Sequence, residues 1–278
     1  RDIFRLVDFD RGTVTIDGRE YPLLDRNFPT VSHDAPLALT DAENELMSVL
    51  ENSFMHSERL NAHIRFLYSK GSMYKAMNGN LLFHGCIPLD EEGRLQSVTI
   101  AGADYSGKAL LDKLDEIANR AYFIQPGAEK DYAADYMWYL WSGARSPLYG
   151  KDKMAFFERY FLADRELQKE NYNAYYHYSE QAEVCGRILE MFGLDPEKGH
   201  IINGHVPVKI KNGEKPVKAG GRLFVIDGGI SKAYQKATGI AGYTLIYDSH
   251  SLNLAEHRPF IAGESEHTPE IHLVERLD

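Results

Sequence analysis

Leu81-Leu82-Phe83-His84-Gly85-Cys86-Ile87-Pro88 is an apolar run that stops at a histidine beside a glycine, with a proline just beyond. Ile201-Ile202-Asn203-Gly204-His205-Val206-Pro207-Val208 follows the same plan, its histidine 121 positions further along. A short apolar run halted by Gly and Pro reads as a buried strand meeting a loop. In α/β proteins that junction is the sheet rim, where ligands bind. Leu223-Phe224-Val225-Ile226, ending in Asp227-Gly228-Gly229, is a third strand of this kind. Two rim histidines joined by Asp227 point to one shared site. Imidazole suits Mn, Fe, Zn or Ni, and carboxylate company shifts the preference toward Mn and Mg. Spacing alone goes no further.

The rest of the chain sets bounds on that site. With 278 residues, 44% hydrophobic and 26% charged, the composition is that of an ordinary globular protein able to bury a sizeable core. No apolar run is long enough to span a membrane. A formal charge of −10 argues against a nucleic-acid partner, which would need a basic face. The two cysteines, Cys86 and Cys185, are too few for a disulfide framework and fit a reducing cytoplasm. The chain starts at Arg1-Asp2-Ile3-Phe4, without a signal-peptide pattern or a leading methionine, and so reads as a fragment or a processed chain.

Alternation through Phe4, Leu6, Phe9, Val14, Ile16, Tyr21 and Leu23 predicts a small β-meander. Its turns fall at Asp10-Arg11-Gly12 and Asp17-Gly18. With the loop that follows, it makes a first segment, 1–36. Thr40 and Glu43 form a capping box for a helix to about Asn52, and Leu60, Ile64 and Leu67 mark one face of a second helix. His56 and His63 read as exposed helix histidines making local hydrogen bonds. After strand 80–85, Asp90-Glu91-Glu92-Gly93 turns the chain, and Leu95–Ile100 is expected to return as that strand's hairpin partner. Helices are predicted over 106–123, 129–141 and 179–192, the last capped by Gly193. The stripe Tyr132, Tyr136, Tyr139 reads as core. Between them, a loop holds Arg145, Lys151 and Lys153, cations suited to phosphate. Residues 244–248 and 251–256 read as a closing hairpin, and the polar segment 263–278 as a peripheral tail.

Several longer strings extend the reading: Phe83-His84-Gly85-Cys86-Ile87-Pro88, Ser146-Pro147-Leu148-Tyr149-Gly150-Lys151-Asp152-Lys153-Met154, Asn203-Gly204-His205-Val206-Pro207-Val208-Lys209, and Ile226-Asp227-Gly228-Gly229-Ile230-Ser231-Lys232. Through these, and over nearly all its length, the chain resembles the class III fructose-1,6-bisphosphatases of bacteria. That family belongs to the calcineurin-like metallophosphatases. The resemblance implies an α/β fold, a two-sheet sandwich flanked by helices. The metallophosphatase portion would cover 37–262. The family motifs run Gly-Asp-x-His, Gly-Asp-x-x-Asp-Arg-Gly, Gly-Asn-His-Asp/Glu, His-Gly and Gly-His. His84 matches the fourth and His205 the fifth. The first three are absent: upstream of Asp10-Arg11-Gly12 stand Leu6 and Val7, which cannot bind metal.

The chain therefore resembles an incomplete, C-terminal part of longer enzymes. By resemblance, the complete family uses two metal ions, commonly Mn²⁺, to hydrolyse fructose 1,6-bisphosphate in gluconeogenesis. His84 and His205 would be ligands to one ion, and Asp227 would support them from outside the metal's own ligands. Arg145, Lys151 and Lys153 would contact the sugar bisphosphate substrate. No catalytic residue can be named, because the motif carrying the catalytic histidine is missing. Alone, the chain is expected to have little activity and to self-associate, or to need a missing N-terminal segment. Two other readings stand beside this one: a non-catalytic folding or interaction module, and a relative acting on phosphoproteins or dinucleotides.

Overall fold

The computed structural model describes residues 2–229, 231–239, 242–248, 250–257 and 270–276. Ile230, Ile240, Ala241, Ser249, residues 258–262 and much of the expected tail (263–269, 277–278) lie outside the described residues. In chain order the elements begin with β1 (Val7–Asp8), β2 (Thr13–Ile16), β3 (Arg19–Pro22), α1 (Asp41–Met55) and α2 (Glu58–Lys70). Next come β4 (Tyr74–Met77), β5 (Asn80–Phe83), β6 (Val98–Ile100), β7 (Ala103–Tyr105), α3 (Gly107–Phe123) and α4 (Ala128–Ser142). Then follow α5 (Phe156–Phe161), α6 (Tyr175–Tyr178), α7 (Ala182–Met191), β8 (His200–Asn203), β9 (Val217–Lys218) and β10 (Leu223–Val225). The last are α8 (Lys232–Thr238), β11 (Gly242–Tyr247), β12 (Ser251–His257) and β13 (Glu270–Arg276). The class is mixed α/β.

Two compact units result, Arg1–Gly71 with Lys153–Asn171, and Ser72–Asp152 with Tyr172–Asp278. These are drawn differently from the 1–36, 37–262 and 263–278 division read from sequence. In the first unit β1, β2 and β3 form the expected meander. The strands β2 and β3 turn through Asp17 and Gly18, both at positive φ (49° and 76°), as a two-residue hairpin loop requires. Asp10-Arg11-Gly12 is the β1–β2 turn, closed by the Gly12 N–H donating to the Asp8 carbonyl at 2.8 Å. Phe4 and Leu6 depart from expectation, lying in a 3₁₀ turn over Asp2–Leu6. Val14, Leu23 and Leu162 make this unit's small core, packed by Phe28, Phe157 and Phe161.

Helix α1 starts on the predicted capping box, with Thr40 and Glu43 each bonding the other's backbone N–H. Neither α1 nor α2 has a buried residue. The periodicity of Leu60, Ile64 and Leu67 shapes a face, but Leu67 is exposed, as are Leu46, Leu50, Phe54 and Phe66.

The second unit is built on a five-stranded sheet ordered β4-β5-β8-β10-β9. Its three middle strands run parallel, pairing Leu81 with Ile201 and Ile201 with Leu223. Alternate side chains leave a strand on opposite faces. Leu81, Ile201, Leu223 and Val225 accordingly join Val184, Ile188 and Leu189 of α7 in one core. Ile202 and Phe224 instead meet Leu252 and Leu245 from a three-stranded antiparallel sheet, β11-β12-β13. Cys86 and Cys185 are free and buried in the first of these cores, and burial pushes each thiol up to about 12.

Four expectations are corrected in this unit. Residues 95–100 do not pair with β5; β6 pairs with β7, while β5 is flanked by β4 and β8. The turn at 90–93 closes only a local bridge between Leu89 and Leu95. The β5 hairpin forms earlier, through Asn78 and Gly79 at φ 52° and 73°. The helix expected over 179–192 begins later, as α7, after the separate turn α6. Tyr136 and Tyr139 pack on the α3–α4 core, but Tyr132 is exposed. The segment read as a peripheral tail contains β13, paired to β12.

Candidate metal centre

Because β5, β8 and β10 are parallel neighbours, the loops after their last residues open at one edge of the sheet. His84 directly follows β5, Gly204 and His205 follow β8, and Asp227 follows β10 by one residue. Backbone bonds tie these loops together. The Gly204 N–H donates to the His84 carbonyl (3.0 Å), Ile226 N–H to Asn203 (2.9 Å) and Val208 N–H to Asp227 (2.8 Å).

The two histidines meet there. His84 Nε2 lies 3.0 Å from His205 Nδ1, with the ring planes at 72°. His205 Nε2 lies 2.8 Å from the Tyr149 carbonyl oxygen. A carbonyl can only accept, so Nε2 of His205 carries a proton, and in the neutral ring Nδ1 then keeps its lone pair. His84 Nε2 then donates to that lone pair. An imidazole whose far N–H is held by a backbone carbonyl and whose near nitrogen is free to coordinate is the usual state of a metal-binding histidine. His205 also adopts φ 67°, a left-handed conformation that costs a non-glycine residue about 1–2 kcal/mol. The ring's two hydrogen bonds help hold that conformation.

The Tyr149 carbonyl is itself positioned by its loop. The Ser146 hydroxyl, fully buried, donates to the Leu140 carbonyl (2.7 Å) and accepts from the Leu148 and Tyr149 N–H groups (both 3.3 Å). The Cys86 N–H donates to the Pro147 carbonyl at 2.9 Å. A Cβ at position 85 would sit 2.3 Å from that carbonyl oxygen, so glycine is required for the two loops to approach. Neither the Tyr149 carbonyl nor Ser146 was singled out from sequence. A backbone acceptor has no residue-type signature, although the loop's own string was conspicuous.

The remaining sequence-selected residues are placed as follows. Asp227 Oδ1 accepts the Gly229 N–H at 2.7 Å. Its charge reaches His84, favouring the protonated ring. Desolvation first, and the neighbouring His205 second, act the other way and hold the His84 pKa below its ordinary 6.5. Lys151 lies over the rings of Tyr149 and Tyr172, 5.7 and 5.4 Å from their centroids. Arg145 donates to the Ser97 carbonyl at 3.3 Å. Lys153 belongs to the other compact unit, where its Nζ donates to the Leu167 carbonyl at 2.8 Å. His56 caps α1 through its own ring, 3.1 Å from the Asn52 carbonyl, and His63 is exposed on α2. Among the described residues no group of three or more His, Cys, Asp or Glu side chains is arranged to hold a metal ion. The two imidazoles are a pair of converging donors.

Residues 1–275 match the family described as Firmicute fructose-1,6-bisphosphatase. The chain belongs to that family. Among curated relatives it is 53% identical over 259 residues to the class 3 fructose-1,6-bisphosphatase of Clostridium botulinum (strain Alaska E43), covering 93% of this chain and 39% of the relative. The protein of the same name from Bacteroides fragilis is 53% identical over 261 residues (94% and 39%). That from Clostridium acetobutylicum is 51% identical over 265 residues (95% and 40%). This family member thus spans about two fifths of the length of the curated relatives it matches. No solved structure matches it.

The depressed His84 pKa has a measurable consequence. The unfolded chain takes up the proton more readily than the folded one, so neutral His84 contributes stability above pH 6.5 that is lost as the pH falls through the folded pKa. Metal-free thermal unfolding should therefore show a midpoint that drops on acidification below about pH 6.5, and His84→Gln should blunt that drop. An identical acid dependence in the variant would contradict the assignment.

Proposed function

We propose that this chain is part of a fructose-1,6-bisphosphatase, a phosphoric monoester hydrolase acting on a sugar bisphosphate in a cytoplasmic, gluconeogenic setting. The observation that carries the reading is the convergence of His84 Nε2 and His205 Nδ1 at 3.0 Å, in a chain of this family. The donor chemistry fits a divalent ion such as Mn²⁺, because His205 already has the tautomer that coordination needs. His84 and His205 would hold one of two ions, with other ligands supplied from outside the described residues. Such a bound pair supplies Lewis-acid stabilisation of the phosphoryl oxygens and an activated water.

This chain's own groups would do the rest. Tyr149 fixes the His205 ring through its carbonyl, and Asp227 supports His84 electrostatically. Lys151 and Arg145 would offset phosphate charge. The finer fold we assign is the calcineurin-like two-sheet sandwich. It is supported by the packing of Ile202 and Phe224 against Leu252 and Leu245 of a second sheet. No helix is long and apolar enough to cross a membrane among the described residues.

Calorimetric titration of the metal-free chain with Mn²⁺ tests this. Weak binding, abolished by His84→Ala or His205→Ala, is the expected result. Tight uptake of two ions per chain would contradict a half-site, and binding indifferent to both substitutions would remove the histidines from it.

The uncovered apolar residues of α1 and α2 favour a companion reading, in which the chain is an assembling module. Their contact would be a second copy or a further polypeptide segment. Sizing chromatography over a concentration series should show self-association of the isolated chain, and a monomer throughout would count against it.

A further inference from the structure

A cavity of about 350 Å³ lies between helix α7 and the loop that follows β5. On the helix side Val184, Arg187, Ile188 and Met191 are spaced i, i+3, i+4 and i+7, so all four leave one face. On the loop side Leu89 and Leu95 bridge to each other in antiparallel pairing, with the turn 90–93 between them. Apart from Arg187 and Arg94, the side chains of both walls are aliphatic or thioether.

The loop keeps its shape by bonding to itself and to its neighbours. The Asp90 carboxylate accepts the N–H groups of Glu92 (3.0 Å) and Arg94 (2.9 Å), and the Asp90 carbonyl accepts that of Gly93 (2.9 Å). The Leu89 N–H donates to Asn173 Oδ1 at 2.9 Å, and the Tyr178 hydroxyl of α6 donates to the Glu91 carbonyl at 2.7 Å. The N–H groups of Leu89, Gly93 and Arg94 are therefore already committed. Across the cavity, the Met191 sulfur takes the Lys108 N–H at 3.2 Å. A polar group placed inside would lose its bonds to water without regaining them, so the interior selects hydrocarbon.

The two arginines differ in what they hold. Arg94 donates to Asp90 (2.9 Å) and Glu92 (2.6 Å), and its charge is neutralised within its own turn. Arg187 is exposed at the mouth, and among the described residues no hydrogen bond or ion pair reaches it. A guanidinium is suited to a carboxylate, which it can bond with two parallel N–H groups. One unpaired guanidinium matches one negative charge, whereas a dianion would add a second charge near Asp90 and Glu92 with no cation left to offset it. At about 30 Å³ for a water-sized group, the cavity has room for roughly ten of them.

We propose that this cavity is a second ligand site, for a medium-chain carboxylate, with the hydrocarbon chain between α7 and the loop and the carboxylate on Arg187. It needs no metal and is independent of the phosphatase reading.

The test is calorimetric titration of the full chain, in a chelating buffer, with octanoate, 1-octanol and butanoate. Octanoate should bind once per chain. Octanol keeps the hydrocarbon and lacks the charge, and butanoate keeps the charge and fills little of the space; each should bind at least about tenfold more weakly. Arg187→Glu should weaken octanoate by at least about tenfold and leave the melting temperature unchanged, since Arg187 has no partner to lose. Leu95→Ser, which removes apolar wall at a partly exposed position and leaves the charge, should also weaken octanoate, by about tenfold. No octanoate binding, equal affinity for octanoate and octanol, or an octanoate affinity unchanged by Arg187→Glu (by Leu95→Ser, should Arg187→Glu not fold) would overturn the proposal. Uptake on the exposed apolar residues of α1 and α2 instead would survive Arg187→Glu, and so would count against it.

Discussion

Parallel pairing of β5 with β8, and of β8 with β10, is the constraint on which the site depends. It sets Leu81 beside Ile201 and Ile201 beside Leu223, so three segments far apart in sequence end at the same edge. A one-residue slip in either pairing would exchange the two faces of the moved strand. Ile201 and Leu223 share a core with α7, and Ile202 and Phe224 share one with β12. With both faces buried, the register is strongly specified and the ends of the strands are held in place.

On that edge the chemistry is set by backbone as much as by side chains. The Ser146 hydroxyl shapes the loop that carries the Tyr149 carbonyl, and Gly85 lets the His84 loop come close enough to bond the Pro147 carbonyl of that same loop. The carbonyl fixes one imidazole's tautomer, and the tautomer determines which nitrogen faces the second imidazole. Asn203 ties the two strand ends together, since its amide N–H groups donate to the Gly85 carbonyl and the Tyr175 hydroxyl.

Much of this was legible in sequence. His84 and His205 could be picked out because a histidine beside glycine, at the end of an apolar run, has few purposes in a sheet. The hairpin turns at Asp17-Gly18 and the Thr40–Glu43 capping box were equally direct, since each depends on contacts only a few residues apart. Pairing of β5 was misread, because the turn at 90–93 competed with the stronger Asn78-Gly79 signal preceding the strand. The apolar spacing of α2 was correctly seen, but spacing shows a face and not what covers it. Tyr149 acts through a backbone oxygen, and Ser146 through the loop turn that it bonds. Such properties have no signature in residue type or period.

The site turns on His84 and His205 converging with a fixed tautomer. Long-range nitrogen–proton correlation spectra of the metal-free chain, at a pH where both rings are neutral, measure this directly. The predicted result is His205 protonated at Nε2, His84 protonated at Nε2 toward the His205 Nδ1 lone pair, and ring-to-ring proton contacts between the two. A His205 ring protonated at Nδ1, or two imidazoles without contact, would contradict it.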